Sequence, residues 1–257
     1  MTVKFSKYQG TGNDFVMIDG RDITVKFSVN EIERICDRRF GIGADGLIIL
    51  KNHEEADFEM DYYNADGSQS FCGNGSRCAQ AFAHALGIID MNARFVAVDG
   101  VHEGKKIETL YATKMRDVLS VQCLGEDYFV DTGSPHYIKY VHELEAYDVK
   151  GKGAAIRNSE PYISEGVNVN FVSEIEGKIH VRTYERGVED ETYSCGTGVT
   201  AVAIAHLVKN SSNQKEVELM TKGGILRIQL EKKGESHFQN IWLIGPAVEV
   251  FSGEFVL

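Results

Sequence analysis

Two short runs constrain this chain more than anything else in it: Cys72-Gly73-Asn74-Gly75 and Cys195-Gly196-Thr197-Gly198. Each leads into a stretch of helix length that is apolar on nearly every face. Ala79, Ala81, Phe82, Ala83, Ala85 and Leu86 fill a predicted helix from about Gly75 to Leu86, stopped by Gly87. Val199, Ala201, Val202, Ala203, Ile204, Ala205, Leu207 and Val208 fill a second, from about Gly198 to Val208, stopped near Asn210. A helix without a polar face is buried. A third helix starts at Ser28, where Ser28-Val29-Asn30-Glu31 fits a capping box. Its apolar stripe is Ile32, Ile35 and Cys36, and Gly41 is the expected stop. Most of the remaining chain alternates apolar and polar residues in short runs bounded by turns, which reads as strands. Examples are Phe15–Ile18, Leu47–Leu50, Phe95–Val98, Ile107–Tyr111, Val118–Leu124, Ile179–Tyr184, Val217–Met220, Ile225–Leu230, Ile241–Ile244 and Val248–Phe251. Two buried helices among many strands predict a mixed α/β (α+β) fold of two sheets, each wrapped around one central helix.

The halves also align with each other. Gly12-Asn13-Asp14-Phe15 matches Gly133-Ser134-Pro135-His136, and Tyr63-Asn64 matches Tyr184-Glu185 at the same offset of 121 residues. The two Cys-Gly-x-Gly runs match at an offset of 123, so the second half has two extra residues before its cysteine. Three ordered landmarks at nearly one spacing indicate an internal duplication. If the halves pack about a pseudo-two-fold axis, Cys72 and Cys195 are expected opposite each other.

Charge and cysteine usage narrow the function. The net charge is −11 with both signs interspersed, which argues against nucleic acid, since phosphate binding needs a basic face. No apolar run reaches the ~18–20 residues of a membrane helix, and the N-terminal residues show no signal-peptide core. A soluble, cytoplasmic chain with no membrane partner is the expectation, and a homodimer is compatible with it. The cysteines are Cys36, Cys72, Cys78, Cys123 and Cys195. An odd count in a chain long enough to build a core predicts free thiols rather than a disulfide framework, with Cys36 read as a small core residue. Cys72, Cys78 and His84 fit no common structural-zinc spacing and lack a fourth ligand, so no metal is expected. Gly41-Ile42-Gly43-Ala44-Asp45-Gly46 satisfies G-x-G-x-x-G, but a helix precedes it and a strand follows, the reverse of a dinucleotide site. It reads as a glycine-rich turn.

Cysteine at the start of a buried helix carries chemistry. The first helical turn offers unpaired N–H groups and partial positive charge, and glycines let a ligand approach the backbone closely. Such a terminus binds carboxylate and lowers a thiol's pKa. Two such thiols define a reaction. One thiolate removes a proton from a carbon next to a carboxylate, and the opposing thiol delivers a proton to the other face. Backbone N–H groups of Gly73, Asn74, Gly196 and Thr197 are placed to stabilise the charge that develops. No lysine sits in a recognisable pyridoxal-phosphate setting.

At these residues the sequence resembles the diaminopimelate epimerase family. Gly12-Asn13-Asp14-Phe15, Tyr63-Asn64-Ala65-Asp66-Gly67, Cys72-Gly73-Asn74-Gly75, Asn168-Val169, Glu185-Arg186-Gly187 and Cys195-Gly196-Thr197-Gly198 follow the family pattern in order. The resemblance implies two pseudo-symmetric α/β domains, each a strand barrel around a central helix. They would cover 1–117, joined by a returning C-terminal strand over about 246–257, and 118–245. It implies an isomerase of lysine and cell-wall precursor biosynthesis that interconverts L,L- and meso-diaminopimelate without cofactor or metal. Cys72 is implied as the acid/base at the L centre and Cys195 at the D centre, with His136 and Glu185 tuning the thiols. Asn13, Asn64, Gly73, Asn74, Ser134, Asn168, Glu185, Arg186, Gly196 and Thr197 are implied to bind the substrate. A distal carboxylate would give Arg186 a bidentate partner.

The chain departs from the family pattern in three places. Ser134 stands where the family usually has Asn. Val188-Glu189-Asp190-Glu191-Thr192 is one residue longer and more acidic than usual. Gly46 stands where some members have Gln. The rival reading is a proline racemase or hydroxyproline epimerase, which more often has His after the first Cys-Gly and lacks Gly-Asn-Asp-Phe. A third reading is a non-catalytic thiol switch, which racemisation by the reduced protein would exclude.

Overall fold

Strand alternation is plain from the first residues: Val3 and Phe5 turn inward while Thr2 and Lys4 face solvent. The computed structural model describes residues 2–22 and 26–256. Of the strand expected over 246–257, Leu257 lies outside them. In chain order the elements begin with β1 (Thr2–Gly10), β2 (Asn13–Asp19), α1 (Val29–Cys36), β3 (Gly46–Lys51), β4 (Phe58–Asn64) and α2 (Gly73–Ala85). They continue with β5 (Asn92–Ala97), β6 (Gly100–Ile107), β7 (Leu110–Lys114), β8 (Gln122–Leu124), β9 (Asp127–Asp131) and β10 (Pro135–Tyr140). Next come α3 (Val149–Arg157), β11 (Asn168–Ile175), β12 (Lys178–Glu185), β13 (Asp190–Thr192) and α4 (Gly196–Lys209). The chain closes with β14 (Glu216–Thr221), β15 (Gly224–Lys232), β16 (Phe238–Gly245) and β17 (Val248–Val256). Two compact units divide them, Met1–Thr113 with Gly245–Leu257, and Lys114–Ile244.

In the first unit β17, β1 and β2 run antiparallel in that order. Then β2 pairs parallel with β3, β3 antiparallel with β4, β4 parallel with β5, and β5, β6 and β7 close antiparallel. Helix α2 packs against β1, β2, β3, β4, β6 and β17. Its core partners include Phe15, Ile48, Phe58, Met60 and Phe95. The other face of the sheet carries a separate core, where Val16, Ile18, Leu47 and Ile49 meet Ile32 and Ile35 of α1.

The second unit repeats this plan. Strands β8, β9 and β10 run antiparallel; β10 pairs parallel with β11, β11 antiparallel with β12, β12 parallel with β14, and β14, β15 and β16 close antiparallel. Helix α4 packs against β9, β10, β11, β12, β14 and β15, and of these β9, β10, β11, β12 and β15 are the counterparts of β1, β2, β3, β4 and β6 around α2. The sequence landmarks fall at equivalent places. Gly12 (φ +84°) and Gly133 (φ +96°) make the turns before β2 and β10, conformations that only glycine adopts without strain. Asn64 and Glu185 end β4 and β12. The expected pair of strand rolls, each around a buried helix, is what the topology shows.

Several boundaries differ from expectation. Helices α2 and α4 begin at Gly73 and Gly196, two residues earlier than predicted, because each cysteine is itself the extended N-cap. The capping box at Ser28 forms in both directions, but α1 ends at Cys36, not Gly41. Asp37 Oδ1 accepts from the N–H groups of Arg39 and Phe40, both at 2.7 Å, and turns the chain. The strand expected over Ile107–Tyr111 is split by a turn at Glu108 (φ +54°) between β6 and β7. Of Val118–Leu124, only Gln122–Leu124 is regular strand, while Val118 makes a single bridge to Phe238. Helix α3 was not expected, because its stripe is thin: only Val149 and Gly153 are buried. Gly153 sits so close to β12 that a Cβ there would lie 2.4 Å from Tyr184 Cβ.

Candidate active site

In the first unit the site is assembled by the start of α2 and the turn into β2. Cys72 is extended (φ −129°, ψ 114°) and half-buried. Its sulfur occupies the place of a capping side chain and accepts the Gly75 N–H at 3.3 Å, a bond that favours the thiolate. The same sulfur lies 3.5 Å from Asn13 Oδ1, to which the thiol form donates. Asn13 has its orientation fixed from behind, since Nδ2 donates to Asp45 Oδ2 at 2.7 Å. Asp45 is held in turn by Arg38, which also pairs with Asp14. Asn13 Oδ1 therefore faces Cys72 and accepts from Asn74 Nδ2 at 3.3 Å. Asn64 is held by Tyr62, whose hydroxyl donates to Asn64 Oδ1 at 2.8 Å, and it donates to Ser68 and Ser70.

Asp45, Arg38 and the buried Arg77 were not singled out in the sequence. Asp45 lies inside the glycine-rich turn that precedes β3, and only the fold brings it to Asn13. Gly46 has no room for a longer residue, because a Cβ there would lie 2.5 Å from the Tyr62 ring.

In the second unit the start of α4 has the same backbone and a different chemistry. Cys195 is extended (φ −122°, ψ 115°) and makes no side-chain cap. It is 7% exposed, and its sulfur lies 3.4 Å from Thr197 Oγ1. Thr132 Oγ1 donates to Thr197 O at 3.1 Å and ties this turn to the end of β9. Ser134, Asn168 and Arg186 are brought together. Asn168 Nδ2 donates to Ser134 Oγ at 2.8 Å, and Asn168 Oδ1 accepts the Arg186 N–H at 2.9 Å. The Arg186 guanidinium donates to Glu165 O at 2.9 Å. Glu185 adjoins them at the end of β12.

The long acidic loop is pinned. Glu189 pairs with Arg157, Asp190 with Lys150 and Glu191 with Arg182. Its carboxylates thus dock it on α3 and β12.

His136 is fully buried on β10. Asn170 Nδ2 donates to Tyr137 O at 3.3 Å and to His136 Nδ1 at 3.1 Å, while Asn170 Oδ1 accepts from Thr183 at 2.9 Å. That pattern puts the imidazole proton on Nε2. Burial, with the Arg186 charge adding to it, pushes the His136 pKa down to about 3, so the ring is neutral at physiological pH. The folded pKa lies below the unfolded value of about 6.5. His136 therefore costs no stability above that value, and stability falls as pH drops from about 6.5 towards 3, by up to about 1.4 kcal/mol per pH unit from this group. Urea unfolding between pH 7 and 4.5 should show this slope in the native protein and a shallower one in His136→Gln.

The two thiols sit at the starts of equivalent buried helices, in two units of one topology, and comparison with known proteins agrees with that plan. Among solved structures, a phenazine biosynthesis protein of the PhzF family from Bacillus anthracis superposes with a TM-score of 0.78 over all of both chains at 14% identity. A hydroxyproline epimerase from Agrobacterium vitis superposes with a TM-score of 0.69, covering 99% of this chain and 91% of that one at 13% identity. These likenesses carry the fold. In sequence, the diaminopimelate epimerase of Flavobacterium psychrophilum is 47% identical over 253 residues, covering 97% of this chain and 98% of that protein. That of Aquifex aeolicus is 38% identical, covering 98% and 97%. The diaminopimelate epimerase family model matches residues 5–107 and 128–250, stretches that contain both cysteine turns, and the chain thus belongs to the diaminopimelate epimerase family.

Proposed function

We propose that the protein interconverts L,L- and meso-diaminopimelate by proton transfer at an α-carbon between two thiols, without pyridoxal phosphate or a metal. Family membership makes it an isomerase acting on a small amino acid. The observation that supports the two-thiol scheme is the position of Cys72 and Cys195, each the N-cap of the central helix of its unit. In one direction the Cys72 thiolate takes the α-proton from the L centre and the Cys195 thiol donates a proton to the opposite face. The reverse reaction exchanges the roles. Charge moves from sulfur onto the α-carbon and its carboxylate. First-turn N–H groups of Gly73, Asn74, Gly196 and Thr197 stabilise that carboxylate as charge builds. Asn13, Asn64, Ser134, Asn168, Glu185 and Arg186 bind the amino and carboxylate groups of the substrate, and neutral His136 and Glu185 tune the thiols.

The two compact units are, in this reading, the two epimerase domains. No helix among the described residues is long and apolar enough to cross a membrane. All five cysteines are free thiols, which suits a reducing, cytoplasmic compartment. A homodimer is compatible with the scheme.

The test is direct. Protein treated to remove any pyridoxal phosphate and incubated with diaminopimelate in deuterated water should lose the substrate α-proton signal in NMR. Absence of exchange with active-site thiols shown to be reduced would overturn the proposal.

A further inference from the structure

Arg77 has the largest side chain among the fully buried residues, and it stands in the second turn of α2. A cation near a helix N-terminus works against the helix dipole, and a buried cation is costly without a counter-charge. All of its hydrogen bonds go to neutral acceptors. Nη1 donates to Gly73 O at 3.3 Å, Nη2 to Asn74 Oδ1 at 3.0 Å and Thr11 Oγ1 at 3.3 Å, and Nε to Pro246 O at 3.5 Å. Among the described residues no carboxylate forms an ion pair with it. Burial pushes its pKa down to about 10, so it remains charged at neutral pH.

The other ionisable groups packed around this end of α2 are already answered. Asp14 on β2 pairs with Lys7 of β1 and with Arg38, and Asp45 pairs with Arg38. Glu249 of β17, which accepts from the Tyr8 hydroxyl of β1, is exposed, so solvent screens its charge. Asp61 of β4 pairs with Lys51 of β3. His84, with Lys106 of β6, lies at the far end of the helix. Burial raises the Cys78 thiol to about 12 and keeps it neutral. The anions left to balance Arg77 are the Cys72 thiolate and the carboxylate that binds the first turn.

We propose that Arg77 is the electrostatic positioning residue of the Cys72 half of the site. It holds the Asn74 carboxamide so that Nδ2 faces Asn13, and it adds a fixed positive charge behind the turn that stabilises the thiolate and the substrate anion. This rests on Cys72 being an acid/base residue. Arg77 touches neither the thiol nor the substrate and acts through Asn74, Gly73 and its field.

The experiment is site-resolved alkylation of Cys72 by iodoacetamide across pH 6–10 in the full chain, read by peptide mass spectrometry. Arg77→Met should raise the apparent Cys72 pKa by about one unit and slow its alkylation at pH 7 by about tenfold. Arg77→Lys keeps the charge but cannot bridge Thr11, Gly73 and Asn74. Its alkylation profile should stay within about 0.3 unit of the native one, while kcat falls with KM little changed. An Arg77→Met protein with native circular dichroism and an unshifted profile overturns the inference. If that variant does not fold, an Arg77→Lys profile displaced by about a full unit overturns it. An active Cys72→Ala enzyme would instead refute the underlying two-thiol reading, a separate outcome.

Discussion

Alanine at either Cys72 or Cys195 is expected to lower epimerisation of diaminopimelate by about 10³–10⁴-fold, because in the proposed scheme each turnover uses one thiol as base and the other as acid. Serine should do little better, since a hydroxyl is a far weaker acid than a thiol. Isotope placement separates this scheme from a single swinging base. With two bases, the proton removed stays on one cysteine while the other delivers a different one. Starting from L,L substrate in deuterated water, early product should carry deuterium while residual substrate remains unlabelled. A single base would return part of the original proton to the product. The two thiols are also unequal in their surroundings. Cys72 accepts an N–H from Gly75 and faces the Asn13 carbonyl oxygen, whereas Cys195 is more deeply buried and has a hydroxyl for neighbour. Cys195→Ala interconverting the isomers at near native rate would sink the two-base scheme.

The duplicated plan was legible because the signals that carry it are local. Apolar residues on nearly every face betray α2 and α4, and Gly12 and Gly133 mark equivalent left-handed turns. The capping box at Ser28 was legible for the same reason, being written in four consecutive residues. What stayed hidden depends on contacts distant in sequence. Helix α3 has two glycines and almost no apolar stripe, and it becomes intelligible only when Gly153 is seen lying against Tyr184. Asn13 could be read as polar, but its orientation is set by Asp45, 32 residues away. Arg77 follows the cysteine turn in a way that resembles a surface charge on a helix, and only burial shows otherwise. The start of α2 and α4 was misplaced by two residues because glycine is a weak helix former, and a cysteine is not an expected N-cap.

Those two glycines in each turn do different work, and the difference makes a second test with a large effect. Gly196 and Gly73 open the helix. Gly198 is where the turn meets the Asn170 network: a Cβ there would lie 2.5 Å from Asn170 Oδ1 and 3.4 Å from Cys195 Sγ. Asn170 cannot retreat freely, since it also holds Thr183, Tyr137 O and the His136 ring. Any side chain at 198 must therefore push the first turn of α4, and the Cys195 sulfur with it, or break the bonds that fix His136. Gly75, by contrast, faces the flexible ends of Ile48 and Met60 at 3.2 and 3.3 Å, which can shift. Displacing a reacting group by about 1 Å costs on the order of 10²-fold in rate. Gly198→Ala should accordingly lose about 10²-fold in kcat, and Gly75→Ala roughly tenfold or less. Steady-state kinetics on both variants, with circular dichroism to confirm that α4 persists, would decide it. Equal losses in the two variants would mean that the asymmetry of the two turns has no catalytic consequence.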